Sequence, residues 1–185
     1  MKALKFGAVA ALSIASLVSC TAPAKTITVY MSSSSNRNEA SLSNQVFREV
    51  NSYRHDRNKK DLIIHSGLAG LAREHAQFLR LNRGKYGSRG SDANHHGFAN
   101  RAMKAQYTMG FGRVAENVVC CKGGSGATFV RLWSQSPAHN DTMKGSYQYT
   151  GIGTVVDSDG MAFSVQLFAN AKTMMMGSAS RFGAF

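Results

Sequence analysis

Acidic residues are scarce in this chain, with 10 Asp and Glu against 22 Lys and Arg in 185 residues. Cysteine is scarcer: the three are Cys20 and the adjacent pair Cys120-Cys121. No two pairs have the spacing of a zinc ribbon, so a cysteine-based metal centre is excluded. An adjacent pair cannot staple distant parts of a fold, so stability has to come from a packed core. In an oxidising compartment the pair has three options: a strained vicinal disulfide, a bond between molecules, or two buried thiols. The motifs of several enzyme classes are also missing. There is no G-x-S-x-G nucleophile elbow. The GGSG at 123–126 lacks the Lys-Ser/Thr of a phosphate loop and reads as a flexible connection. No internal repeat is present, and the length suits one domain.

The longest apolar run, FGAVAALSIASLV at 6–18, is too short for a transmembrane span. It follows the basic MKALK, so residues 1–19 read as a signal peptide. The run stops at Leu17-Val18-Ser19-Cys20, which resembles a bacterial lipobox and makes Cys20 the lipidated first residue of the mature protein. Cleavage after Ala22-Pro23-Ala24, an ordinary secretory site, is the rival. Both readings export the protein, as a membrane-anchored envelope lipoprotein or as a secreted or periplasmic one. Losing Lys2 and Lys5 leaves 20 basic against 10 acidic residues, a net charge of +10. That charge favours anionic partners, here lipopolysaccharide, acidic lipids or wall polymers. No basic helix with interleaved aromatics occurs, which argues against nucleic acid.

Residues 20–40 are serine-rich and read as a tether spanning roughly 25 Å as flexible coil, with ITVY as a possible short strand. From Ser41 the pattern is helical. Leu42, Val46, Phe47, Val50 and Tyr53 define a helix over 42–54, and Ser66 caps a second whose apolar face runs from Leu68 to Leu79 and which ends near Gly84. Phe98 to Tyr107 forms a third, and Phe129, Leu132 and Trp133 lie on a fourth. The period then falls to two. Ile152, Thr154 and Val156, then Met161, Phe163, Val165 and Leu167, flank Asp157-Ser158-Asp159-Gly160, a β-hairpin with an Asp-Gly turn rather than a calcium loop. Helices leading into a hairpin give an α+β fold, with helices packed on an antiparallel sheet. Residues 170–185 read as a loose tail.

The single tryptophan leads into W-S-Q-S-P-A-H. Ser136 suits an N-cap and Pro137 the first helical position, which puts His139 in the first turn of a fifth helix. The positive end of that helix favours a neutral imidazole, able to accept a proton or bind a metal. Asp141 lies two residues on and cannot face His139, so a local Ser-His-Asp triad is excluded. The other candidates are distant: His95-His96 and Glu116, a carboxylate in the otherwise apolar AENV. His55, His65 and His75 have no partner pattern and read as structural or surface groups.

These segments together carry a family resemblance. His95, Gly97, Phe98 and Arg101 are similar to the S-H-x-G-F-x-x-R stretch of bacterial CAP-superfamily domains, the SCP, cysteine-rich secretory, antigen 5 and pathogenesis-related 1 group. AENV at 115–118 resembles its G-E-N-[IV]. Trp133 to His139, followed by Tyr149 and Gly151-Ile152-Gly153, resembles W-x-x-S-P-x-H…Y…G-[IV]-G. Gln166-Leu167-Phe168 resembles the closing Q-x-F, and AREHA at 72–76 fits the second helix. The resemblance covers about residues 42–169, within a domain placed at 41–169. It implies an α-β-α sandwich whose antiparallel sheet is flanked by helices, around a cleft of two histidines and one or two acids.

Transferred by motif, the cleft residues are His95, His139 and Glu116, with zinc able to sit on the two histidines and His96 able to replace or assist His95. Ala115 stands for the usual glycine, Asn140 for a common Arg, and no second acid occurs between Ser125 and Ser136. The family's links to sterol and lipid binding imply a non-enzymatic protein holding a lipid or anionic envelope ligand. The alternative is a metal-dependent hydrolase with Glu116 as general base. A third reading leaves the same residues as a buried network that only holds the fold.

Overall fold

The structure, a computed structural model, describes residues 33–86 and 92–172. The expected signal peptide, lipidated Cys20, the ITVY strand and the tail beyond Lys172 lie outside those residues. Elements follow in the order α1 (Ser33–His55), β1 (Ile63–Ile64), α2 (Ser66–Leu81), a 3-10 turn (Asp92–His95), α3 (Phe98–Met109), β2 (Phe111–Lys122), α4 (Gly126–Ser134), α5 (Pro137–Lys144), β3 (Tyr149–Val156) and β4 (Met161–Ala171).

The four strands form one sheet in the order β1-β3-β4-β2. β3 and β4 make the expected hairpin, and Gly160 (φ 81°) supplies the left-handed turn position. The sheet is mixed rather than wholly antiparallel, because the two-residue β1 runs parallel to β3. Side chains alternate across β4. Phe163, Val165 and Leu167 pack with Leu68, Leu71 and Leu79 of α2. Ala162 and Phe168 pack with Val46 and Val50 of α1, Phe129 and Trp133 of α4 and Met143 of α5. Helices therefore cover both faces, giving the α-β-α sandwich.

Three local expectations change. Helix α1 starts at Ser33, so residues 33–40, expected in the tether, belong to the folded domain. The apolar stripe stops at Leu42, but the buried Glu39 accepts from Val156 N at 3.0 Å and from Arg73 Nη2 at 2.8 Å, and these tertiary bonds draw the helix onward. The cap of α2 is His65, whose Nδ1 accepts from Leu68 N, and Ser66 is already helical. β4 runs to Ala171, so the first two residues of the expected loose tail are strand. The segment around Glu116, given no structure by its pattern, is the long strand β2, paired antiparallel with β4.

Candidate functional site

Each histidine of the site stands at the edge of a regular element, and Glu116 stands inside one. His95 ends the 3-10 turn, Glu116 lies mid-way along β2, and His139 sits in the first turn of α5. Ser136 takes the N-cap position with Pro137 next, as expected, but the Ser136 side chain makes no capping bond. Gly97 follows the two histidines with φ 71°, a conformation that costs other residues a steric penalty, and this bend starts α3.

Glu116 is the hub. Its side chain is 1% exposed, and a carboxylate so buried must be paired. Arg101 of α3 grips it with two donors, Nε to Oε2 at 2.8 Å and Nη2 to Oε1 at 2.9 Å. His95 Nδ1 approaches Oε1 at 3.0 Å. A carboxylate oxygen only accepts, so Nδ1 carries the hydrogen of this bond and Nε2 is the ring nitrogen left for another partner. Burial alone would raise the Glu116 pKa. The His95 bond and the Arg101 bonds and charge outweigh it and hold the carboxyl below its ordinary value. Glu116 is therefore ionised and fully engaged.

Arg101 also ties the loop, donating Nη1 to the His96 carbonyl at 2.8 Å. His75, buried on α2, holds the same turn by donating Nε2–H to the Asn94 carbonyl at 2.6 Å. Burial, ahead of the Arg101 charge, lowers the His75 pKa and keeps it a neutral donor. The positioning roles of Arg101 and His75 were not legible in composition or spacing. Their only signal was membership of the quoted motifs.

His139 faces His95 across a gap, with ring centroids 5.9 Å apart. Burial and then the His95 charge lower its pKa, so the expected neutral imidazole is present on those grounds. Its backbone carbonyl accepts from Asn117 Nδ2 at 3.1 Å, which ties α5 to β2. Asn140 is held by Tyr53 Oη–H at 2.8 Å. Asp141 turns away to Lys144 at 2.9 Å, consistent with the absence of a local triad. His96 does not join the site, because its ring stacks on Phe78 at 5.4 Å and lies against Tyr86 at 4.9 Å.

Beside His139 opens a cleft of about 300 Å³, whose walls include Val118, Val119, Leu132 and Trp133, with Asn94 and Ser136 as polar groups. Glu116 lies buried behind His95 rather than in its lining. This volume is at the small end of ligand sites and fits a compact apolar group or part of an acyl chain. For zinc, the arrangement offers two imidazole nitrogens, with Glu116 orienting His95 from behind as carboxylates do for metal-bound histidines. The third protein ligand of catalytic zinc sites is missing from this set, since both Glu116 oxygens are taken. Among the described residues no group of three or more His, Cys, Asp or Glu is arranged to hold an ion. The donor set fits an ion held by two imidazoles and completed by solvent.

Of the three expected cleft residues only His139 lines the cavity, with His95 facing it at 5.9 Å between ring centroids. A three-layer domain with this histidine pair beside a buried Arg-Glu pair defines the class of protein. A sequence profile of the CAP family, the cysteine-rich secretory protein family, matches residues 47–168, and the chain belongs to that family. Its fold is similar to an outer surface protein of Borrelia burgdorferi, with TM-score 0.55 at 20% identity over 74% of this chain and 96% of that one. An extracellular SCP-domain protein of Bacillus anthracis gives 0.57 at 19% identity over 74% of this chain and 42% of that one. A cysteine-rich secretory protein of Staphylococcus aureus gives 0.52 at 19% identity over 71% and 39%. The chain thus spans about two fifths of the latter two proteins. A comparison with curated protein sequences finds no match.

Proposed function

We propose that this is an exported envelope protein that binds, rather than cleaves, a lipid or anionic-ended ligand in the cleft beside His139. The observation that carries the reading is the state of Glu116. A general base needs an oxygen facing substrate and a pKa near the working pH. Glu116 has both oxygens on Arg101 and His95, lies out of contact with the cleft, and has its pKa pulled down. Hydrolysis would require the Arg101 pair to open first. The apolar cleft wall supports an apolar ligand body, and His139 at its edge supports a polar or anionic end.

Zinc between His95 and His139 belongs to this proposal, and when bound it would supply a Lewis acid at the cleft mouth. Export and a lipid anchor on Cys20 rest on the leader. Export is also supported by relatives described as an outer surface protein and an extracellular protein.

Trp133 is the only tryptophan in the chain and stands in the cleft wall, so its fluorescence reports on the site. Titration with oleate is expected to change that fluorescence saturably in the parent and in Glu116→Gln, and to fail in Leu132→Arg. Zinc is expected to raise the melting temperature of the parent but not of His95→Ala/His139→Ala. An absent oleate response, together with an esterase activity lost in a folded Glu116→Gln chain, would replace binding with hydrolysis.

A further inference from the structure

A second and larger cavity, about 550 Å³, opens between the loop after α1 and the segment joining α5 to β3, and it shares no lining residue with the His139 cleft. Its walls carry Arg54, Lys59 and Lys60 against a single acid, Asp61, with Tyr147 and Asn170 nearby. Arg54 is 1% exposed, yet among the described residues it forms no ion pair. Carbonyls surround it instead. Nε donates to Lys60 O at 2.9 Å, Nη1 to Met143 O at 2.6 Å and to Gly145 O at 2.9 Å. Nη2 reaches only Tyr147 O, at 3.4 Å, beyond the usual range for such a bond.

A buried guanidinium without a carboxylate is a costly arrangement unless something offsets its charge. Asp61 raises the Arg54 pKa only in part, and burial holds it below its ordinary value. The two exposed lysines at the rim are likewise free of ion pairs among the described residues, so the cavity carries an excess of two positive charges over its one acid. Asn58 (φ 54°) turns the loop tightly, and Lys59 N returns to Arg54 O at 3.0 Å. That bend sets Lys59 and Lys60 beside the buried Arg54.

We infer that this cavity is an oxyanion site for a phosphate group, with Arg54 Nη2 as its fixed donor and Lys59 and Lys60 as mobile cations at the mouth. Phosphate is favoured over a lone carboxylate because its second negative charge matches the excess of two, and because guanidinium and ammonium groups together are the usual phosphate partners. The phosphate could be inorganic or the phosphomonoester headgroup of a phosphatidic acid, and the two share this second charge.

The test is calorimetry on the full-length chain at constant ionic strength, with inorganic phosphate in one arm and monomeric dihexanoyl phosphatidic acid in the other. Saturable binding of either is expected, weakened at least tenfold in Lys59→Ala/Lys60→Ala and restored in Lys59→Arg/Lys60→Arg. Both lysines are exposed, so these variants should fold as the parent does. A phosphatidic acid Kd at least tenfold below that of phosphate identifies a headgroup site; equal values identify a site for free phosphate. Absence of saturation in both arms, or equal affinity in the Ala variant, overturns the inference. Either result is independent of the oleate response at Trp133.

Discussion

Glu116 shows how a single buried charge can organise a site. Its carboxylate joins β2, α3 and the 3-10 turn through Arg101 and His95, so the turn's position depends on the charge as well as on packing. Glu116→Gln keeps the volume but leaves the Arg101 guanidinium, 12% exposed, facing a neutral amide. Removing one partner of such a pair should cost about 2–4 kcal/mol at neutral pH. The acid dependence follows from the sign of the shift. A carboxyl whose folded pKa lies below its ordinary 4.5 stabilises the fold fully above that value and loses the contribution as pH falls through the folded one. Urea unfolding at pH 7 and pH 3 should therefore show a larger loss for the parent than for Glu116→Gln. Equal losses would mean that the Arg101 pair does not stabilise the fold.

Among the elements, β3 explains a motif that the sequence displays without its reason. Gly151 and Gly153 lie under α2, and a Cβ at either position would overlap the helix backbone, at Leu68 and Ala69 for Gly151 and at Ala72 and Arg73 for Gly153. The two glycines thus set how closely α2 approaches the sheet. Gly153→Ala should force α2 outward and cost about 3 kcal/mol or more, near the upper end of overpacking effects, read as a drop in the urea midpoint. An unchanged midpoint would refute this close approach.

The hairpin itself was legible, because period two and an Asp-Gly turn depend only on local chemistry. Helices α2 to α5 were legible for the same reason. What stayed hidden depends on distant partners. Thr150, Thr154, Ser164 and Gln166 are polar, yet all are fully buried beneath the α1, α4 and α5 layer. Gln166 Nε2 donates to Thr150 Oγ1 at 3.0 Å, Thr150 Oγ1 donates to the Leu167 carbonyl at 2.8 Å and the Thr154 and Ser164 hydroxyls lie 2.9 Å apart, while Gln166 Oε1 has no partner among the described residues. Strand β2 escaped because its two buried faces erase any alternation, and the early start of α1 rests on bonds from Glu39 to a hairpin more than a hundred residues away. The site pair His95 and Glu116 was visible only as motif members. Nothing local to either one brings it within reach of the other.

At the scale of the whole molecule, Cys120 and Cys121 mark the two sides of the sheet. Adjacent strand residues point to opposite faces, and Cys120 joins the α2–α3 core while Cys121 joins the α1–α4–α5 core. Of the three states open for the pair, the structure gives two buried thiols. Burial, with a smaller contribution from Cys121, pushes the Cys120 thiol up to about 12, so almost no reactive thiolate exists there at neutral pH. Cys120 also lines the His139 cleft, whereas Cys121 does not. A reagent such as iodoacetamide can therefore meet Cys120 from the cleft, slowed by the scarcity of thiolate, but must wait for the α1–α4–α5 layer to lift before it meets Cys121.

The two layers share every strand of a four-stranded sheet, and small domains of this size open as one cooperative unit. Labelling of Cys121 should therefore rise with urea as global unfolding does, while Cys120 is alkylated slowly through the cleft without urea, so the tryptic peptide carrying both cysteines passes through a form labelled at Cys120 alone. A form labelled at Cys121 alone, ahead of global unfolding, would show that the α1–α4–α5 layer opens by itself.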